Sequence, residues 1–397
     1  MAGLSDTGLD ARSMTAPASL AVTRLQLTNF RSYAGTVLAV EAAPVVLAGP
    51  NGAGKTNVLD AISLLSPGRG LRGAKLAEHM RRGPSASEGT LWAVAATVKR
   101  GSECHEIGTG MIDGNAGRPD GESRQGKREV RLNGAAASSS ADLGEIVQLI
   151  WLTPAMDRLF IESASGRRRF LDRLVLGFAP SHARASTRYE TAMRERGRLL
   201  KYGPRDPGWL DGLENELAEA GVEIARARAC VVEKLSGALA ERGRAGAFPA
   251  AALALNDEMH QTDADALRAA FAASRMRDAE AGRTLVGPHT TDLQVRHTAK
   301  RMEARDCSTG EQKALLVSII LADARELARA RAGMAPILLL DEIAAHLDST
   351  RRAALFEEIT ALSAQAWMTG TDLSLFDRAR AQIFEVREGR FARQEDA

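Results

Sequence analysis

The segment Gly49-Pro50-Asn51-Gly52-Ala53-Gly54-Lys55-Thr56 matches G-x-x-x-x-G-K-[ST] at every fixed position. Its chemical counterpart lies near the other end of the chain. There Ile337-Leu338-Leu339-Leu340 runs without a polar residue into Asp341-Glu342. A fully apolar run of that length reads as a strand buried on both faces of a parallel sheet. A carboxylate at the C-terminal end of such a strand stands where α/β sheets bind ligands. A fold that uses both segments must bring the two ends of the chain into one sheet, so what lies between them is inserted.

The residues around each segment fit that reading. Pro44-Val45-Val46-Leu47-Ala48 is a short apolar strand leading into the glycine loop, and Val58, Ile62 and Leu65 recur at helical spacing until Pro67-Gly68. Strand, glycine loop and helix N-terminus together cradle phosphate with backbone amides. Gly49, Gly52 and Gly54 let the backbone approach the ligand, flanked by Pro50, Asn51, Ala53 and Asn57. Lys55 would neutralise the β- and γ-phosphates of ATP, and the Thr56 hydroxyl would hold Mg²⁺. Asp341 would reach the same ion, and Glu342 would orient or deprotonate the attacking water.

A third segment, Ser308-Thr309-Gly310-Glu311-Gln312-Lys313, opens a helix expected from Glu311 to about Arg331. Ser308 with Glu311 three residues on is also an ordinary capping box, and the two readings are compatible. A free helix N-terminus is an anion site. The glycine loop already serves the chain's own nucleotide, so Ser308, Thr309, Gly310 and Glu311 are expected to meet the γ-phosphate held by a second protomer. Asp348, in Ala345-His346-Leu347-Asp348, falls where a dimer-facing turn follows the acidic strand.

The rest of the chain divides by pattern. Residues 1–19 are small and polar, unlike a signal or transit peptide, and are expected to be a disordered tail, with Met14 a possible start. The N-terminal part of an ATPase head is expected over 20–153. It includes an antiparallel flap from Leu91 to Val98, Cys104 to Ile112 and Glu129 to Leu132, with a loose loop from Gly114 to Lys127. Residues 154–283 read as a helical lobe. In it Leu213, Leu217, Ala220, Ile224, Ala227, Val231 and Leu235 form a seam suited to helix pairing. A helix from Trp209 to Arg242 would span about 50 Å, a short antiparallel arm. The head resumes over 284–397, beginning with strand-like Thr284-Leu285-Val286 and Leu293-Gln294-Val295. The fold class is thus α/β: an ATPase head of mixed sheet and antiparallel flap with an inserted α-helical lobe.

At 397 residues two lobes are the prior expectation, and the net charge of +2 gives no global attraction to nucleic acid. A local patch is available. From Ile161 to Arg205 eleven Lys or Arg face four acids, an excess of seven, with Arg167, Arg168 and Arg169 in one run. Such a face is often only solvated. Arg69 and Arg72 offer a second basic site. Three cysteines without ligand spacing favour a reducing cytoplasm, and no apolar run is long enough to span a bilayer. His289, alone beside Pro288, reads as a hydrogen-bonded structural residue, and Cys307 as a small packed one.

Together these segments resemble the RecF family, the DNA-repair members of the ABC-type ATPases that include the SMC proteins. The resemblance runs from Leu20 through nearly the whole chain. It includes Leu27-Thr28-Asn29-Phe30-Arg31-Ser32-Tyr33, Gly68-Arg69-Gly70-Leu71-Arg72, Gly287-Pro288-His289-Thr290-Thr291-Asp292-Leu293 and Leu347-Asp348 with Arg351-Arg352. It implies an ATP-dependent homodimer that binds gapped, single-stranded and duplex DNA, with RecO and RecR as partners in loading a recombinase. It also implies that Arg31 lies near the adenine. Three departures accompany it. Glu342 stands where many members carry a second Asp. The switch histidine of transporter ATPases is absent, with Met368-Thr369-Gly370-Thr371 in that region, so Thr369 or Thr371 becomes the candidate phosphate sensor. Gln148 is the nearest residue to a Gln-loop glutamine, although Leu152-Thr153-Pro154 holds the matching turn. Slow hydrolysis suits these departures. Another SMC-type ATPase, a transporter ATPase subunit and a nucleotide-dependent scaffold remain the alternative readings.

Overall fold

A computed structural model describes residues 19–81, 91–112, 127–203, 207–242, 246–256 and 263–394. The tail expected over 1–19 (Ser19 apart), Met14, the loop from Gly114 up to Lys127 and Arg205 lie outside the described residues.

The acidic strand and the strand entering the glycine loop share one six-stranded sheet. Its strands are β3 (Val45–Ala48), β8 (Leu149–Leu152), β12 (Ile337–Leu340), β13 (Ala366–Gly370), β14 (Gln382–Arg387) and β15 (Arg390–Arg393), in the order β15-β14-β3-β13-β12-β8. All neighbours are parallel except the β14–β15 pair. β3, β12 and β13 are buried along their whole length, and β3 and β12 are accordingly continuous apolar runs rather than alternating ones.

The flap is a second, antiparallel six-stranded sheet, order β2-β1-β4-β5-β6-β7. It comprises β1 (Leu20–Phe30), β2 (Tyr33–Ala39), β4 (Ala93–Arg100), β5 (Glu103–Ile112), β6 (Lys127–Leu132) and β7 (Ala135–Ala136). Along β4, Val94, Ala96 and Val98 are buried while their neighbours are not, the period of a sheet with one covered face. That face closes over helix α1 (Lys55–Ser63) and the main sheet in one core containing Leu25, Leu27, Val58, Ile62, Trp92 and Trp367. Gln365 fixes the two sheets to one another. Its Oε1 accepts from Val22 N at 2.8 Å and Trp367 Nε1 at 3.0 Å, and its Nε2 donates to Val22 O at 2.9 Å.

After α2 (Leu143–Ile146) and β8 the chain turns helical: α3 (Ala164–Phe178), α4 (His182–Tyr202), α5 (Pro207–Arg242) and α6 (Ala264–Ala281). Arg196 of α4 meets Glu214, whereas Arg188, two turns earlier, meets Glu216 and Glu223, so α4 and α5 run antiparallel. The α5 seam is divided between two cores. Leu217, Ala220 and Ile224 pack with Tyr189 and Phe271 inside the lobe. Val231 and Leu235 pack with α7 (Thr309–Ala330) and the head. α7 is apolar from Ala314 to Ala322 apart from Ser318 and sits inside, buried from Gln312 through most of its length. α8 (Ser349–Ala361) then leads to β13.

Two expectations are corrected. The stretch from Pro154 to about Ala281 is not helical throughout, because Ala251–Asn256 forms β9. β9 pairs antiparallel with β10 (Asp292–His297), which also pairs with β11 (Met302–Glu303) in a three-stranded sheet. Ala-Ala-Leu-Ala-Leu consists of good helix formers, and the sheet edge offered by β10 overrides that preference. Thr284-Leu285-Val286 is not a strand. It is an irregular turn pinned by Leu285 N donating to Asp278 Oδ1 at 2.9 Å and by His289 Nε2 on Thr284 O at 2.9 Å.

Candidate functional site

The glycine loop follows β3 and feeds α1, whose N-terminus begins at Lys55. Two glycines are required by space as well as by backbone angle. Gly49 has φ 152°, and a Cβ there would lie 2.4 Å from Val386 O. Gly54 has φ 107°, and a Cβ would lie 2.8 Å from Ser32 Oγ and 2.9 Å from Tyr33 Oη. The β1–β2 turn therefore presses on the loop: Tyr33 Oη donates to Gly54 O at 3.1 Å, and Asn57 Nδ2 to Ser32 Oγ at 2.9 Å.

Lys55 is buried and folds back on the loop, its Nζ donating to Gly49 O at 2.7 Å and Pro50 O at 2.9 Å. Burial pulls its pKa down, and the nearby Glu342 and Asp341 carboxylates oppose that. Thr56 Oγ1 donates to Asp341 Oδ1 at 2.9 Å, joining segments 285 positions apart. Asp341 Oδ1 also accepts from Thr369 Oγ1 at 2.8 Å, and Thr369 Oγ1 accepts from Glu342 N at 2.9 Å. The Glu342 side chain is half-buried and makes no hydrogen bond or ion pair with another described residue.

Arg31 sits in the same β1–β2 turn at φ 53°, but its guanidinium is engaged. Nε donates to Asp60 Oδ2 at 3.0 Å and Nη1 to Glu78 O at 2.9 Å. Asp60, wholly buried on α1, was not singled out in the sequence. Burial raises its pKa, and His79 with Arg31 outweighs that and holds it below the usual carboxylate range. The only sequence signal for it was an acid on the apolar face of a helix.

Ser308, Thr309 and Gly310 are exposed at the start of α7, and nothing lies within 4 Å of a Cβ built on Gly310. The capping box forms: Ser308 N and Oγ donate to Glu311 Oε2 at 3.1 and 2.9 Å, and Lys300 pairs with the same carboxylate. These hydrogen bonds, led by that from Lys300, hold the Glu311 carboxyl down at about 2. No bond from Ser308, Thr309, Gly310 or Glu311 to a described residue reaches the glycine loop. Asp348 is exposed and caps α8, accepting from Arg351 N at 2.8 Å.

Gln148 is at the wrong end of its strand for a phosphate sensor. It precedes β8, level with the start of β12, and its Nε2 is spent on Gly144 O at 2.7 Å. The C-terminal end of β8 is Leu152, whose carbonyl accepts from Asp341 N at 2.9 Å.

The basic run is largely consumed within the chain. Arg167 makes a two-pronged pair with Asp292 at 2.9 and 2.7 Å, and Arg168 Nη1 donates to Thr291 O at 3.0 Å. Arg173 is 4.4 Å from the Trp151 ring centre and donates to Trp151 O. Arg196 is fully buried, bound to Glu214 and Asp278 at 2.9 and 2.7 Å. Arg184, Arg188 and Arg198 have surface carboxylate partners. Arithmetic along the sequence misses the pairs of Arg167, Arg184, Arg188 and Arg196 because their acids come from other elements. Arg167 and Arg168 thus hold α3 against the residues entering β10. Arg169, Arg69 and Arg72 are exposed and have no ion pair with another described residue. His289 is held from both sides, Nδ1 accepting from Tyr189 Oη at 2.8 Å, and burial lowers its pKa. Cys307 packs in the main core.

The RecF/RecN/SMC N-terminal domain model matches residues 21–390. The chain is 49% identical to the DNA replication and repair protein RecF of Mesorhizobium japonicum, over 96% of this chain and 100% of that protein. The chain belongs to the RecF family. It is 47% identical to the RecF of Caulobacter vibrioides, over 94% and 97% of the two chains. In three dimensions it resembles the recombination mediator protein RecF solved with ATPrS, at TM-score 0.79, 20% identity, and coverage of 96% and 100%. The SMC head of Pyrococcus furiosus with its extended coiled coil gives TM-score 0.54 at 16% identity, covering 94% and 96%. The head architecture expected from the sequence is therefore the fold of this RecF-family chain.

Proposed function

We propose that this RecF-family chain is an ATP- and Mg²⁺-dependent homodimer that binds DNA and hydrolyses ATP slowly. One observation carries this reading. Thr56, Asp341, Thr369 and the Glu342 backbone form one bonded cluster at the mouth of the glycine loop, while the exposed α7 N-terminus has no bond to that loop. A hydroxyl and a carboxylate 2.9 Å apart beside a buried lysine are the donor set for Mg²⁺ and a polyphosphate. Mg²⁺ there would neutralise charge on the phosphates. Lys55 would leave the loop carbonyls for them, and the Glu342 carboxylate would orient water. Ser308 and Gly310 would close on the γ-phosphate held by the second protomer. The division at 154 and 284 into head, lobe and head belongs to the same reading.

The DNA surface is assigned to Arg69 and Arg72 with Arg169, three exposed cations with no ion pair to another described residue. The solved RecF with ATPrS is described within a RecFOR pathway, and on that ground RecO and RecR are carried over as partners. The test is binding of gapped, single-stranded and duplex oligonucleotides with and without Mg²⁺ and ATP across a salt series. Joint Arg69→Glu and Arg72→Glu exchange should weaken binding for all sequences alike. It should also flatten the dependence of log affinity on log salt by about 2, near 0.9 for each phosphate left without its cation. An unchanged slope places the DNA elsewhere.

A further inference from the structure

We propose that Thr369 is a positioning residue for ATP hydrolysis, its one hydroxyl setting both carboxylate-bearing residues at the end of β12. The proposal rests on the ATPase reading above. A hydroxyl has one hydrogen to give and lone pairs to receive, and Thr369 uses both. A backbone N–H only donates and a carboxylate only accepts, so the bond directions are fixed. Glu342 N–H points to Thr369 Oγ1 at 2.9 Å, and Thr369 O–H points to Asp341 Oδ1 at 2.8 Å.

The placement follows from the sheet. β13 lies between β3 and β12, with Met368 level with Leu340, so Thr369 falls beside Asp341; on its other side it is level with Leu47. It is fully buried, where solvent cannot substitute for a lost partner. The next residue extends the bracket, since Gly370 O accepts from Gly49 N, the first amide of the glycine loop, at 3.3 Å. The end of β13 thus holds the phosphate loop with one residue and the acidic pair with the other. Glu342 is at φ 53°, a left-handed backbone seldom adopted by a residue with a Cβ. Its one backbone donor is spent on Thr369, so the hydroxyl fixes the direction in which the Glu342 side chain leaves the strand. Asp341 Oδ1 receives two hydroxyls, from Thr56 and Thr369. If Thr56 turns its oxygen to a cation, Thr369 is the donor that keeps the carboxylate in place. Thr369 touches neither phosphate nor water in this account; it acts through Asp341 and Glu342.

The test compares full-length parent, Thr369→Val and Thr369→Ser. Valine keeps the shape and removes the hydroxyl; serine keeps the hydroxyl. Thr369→Val should lower kcat at least tenfold and raise the Mg²⁺ concentration for half-maximal binding of a fluorescent ATP analogue severalfold. Nucleotide affinity without Mg²⁺ should stay within twofold, and Thr369→Ser should restore both readouts to within about threefold of the parent. Should Thr369→Val melt far below the parent, Thr369→Ala removes the same hydroxyl without a buried methyl and is judged by the same readouts. A folded variant lacking the hydroxyl, with kcat and Mg²⁺ dependence within twofold of the parent, overturns the proposal. So does a serine variant as impaired as the valine one. A parent that binds no nucleotide with Mg²⁺ overturns the ATP-site reading as well, so the two failures are distinguishable.

Discussion

Glu342→Gln is expected to lower the rate of ATP hydrolysis by about two to four orders of magnitude, the usual contribution of a positioned general base, and to leave nucleotide binding intact. Among the described residues its carboxylate has no hydrogen-bond or ion-pair partner, although its backbone is fixed. Glutamine keeps the size and removes the base. Lys55, Thr56 and Asp341, which would hold the nucleotide, are bonded to the loop and to one another without any contribution from the Glu342 side chain. Phosphate release under single-turnover conditions measures the chemical step directly. Turnover unchanged in Glu342→Gln would move water activation to another residue.

Asp172→Asn is expected to destabilise the helical lobe by about 3 kcal/mol, the scale of breaking a hydrogen-bonded pair with a buried partner. Asp172 receives Arg228 Nε and Nη2 at 2.7 and 2.9 Å, and His182 Nε2 at 2.9 Å. Arg228, nearly all buried, also donates to Pro288 O. One carboxylate thereby joins α3, α4, α5 and the turn before β10, and its loss leaves the guanidinium uncompensated. Burial raises the Asp172 pKa, and His182 and Arg228 more than reverse this, bringing it to about 2 from an ordinary 3.8. The unfolded chain therefore binds the proton first as pH falls. The stability from this group is complete above about 3.8 and disappears as pH drops from there through about 2. Thermal melts across that window should show a shallower acid loss in Asp172→Asn than in the parent.

The ATP site was legible because its parts are local. A glycine loop between a strand and a helix, and an apolar strand ending in acids, declare themselves within eight residues each. The link between them was legible only as a necessity, and Thr56 bonded to Asp341 is its physical form. Gln148 shows that nearness in sequence to β8 does not say which end of the strand a side chain occupies. Arg167, Arg173 and Arg196 misled for a related reason: the partners that absorb their charge or bury them come from distant residues such as Asp292, Trp151 and Asp278. β9 was hidden because helix-forming residues became a strand through pairing with β10. Asp60 gave little sign, since a buried polar residue acquires meaning from its partners.

Sedimentation velocity of Glu342→Gln with Mg²⁺ and ATP, alone and combined with Ser308→Arg, reports whether two protomers share the nucleotide site. Ser308 lies exposed at the α7 N-terminus and forms no bond to its own glycine loop. Glu342→Gln should become a dimer on adding Mg²⁺ and ATP. The combined variant should bind the nucleotide with undiminished affinity and remain a monomer. A Glu342→Gln protein that binds ATP and stays monomeric, or a combined variant that dimerises as readily, would contradict the shared site.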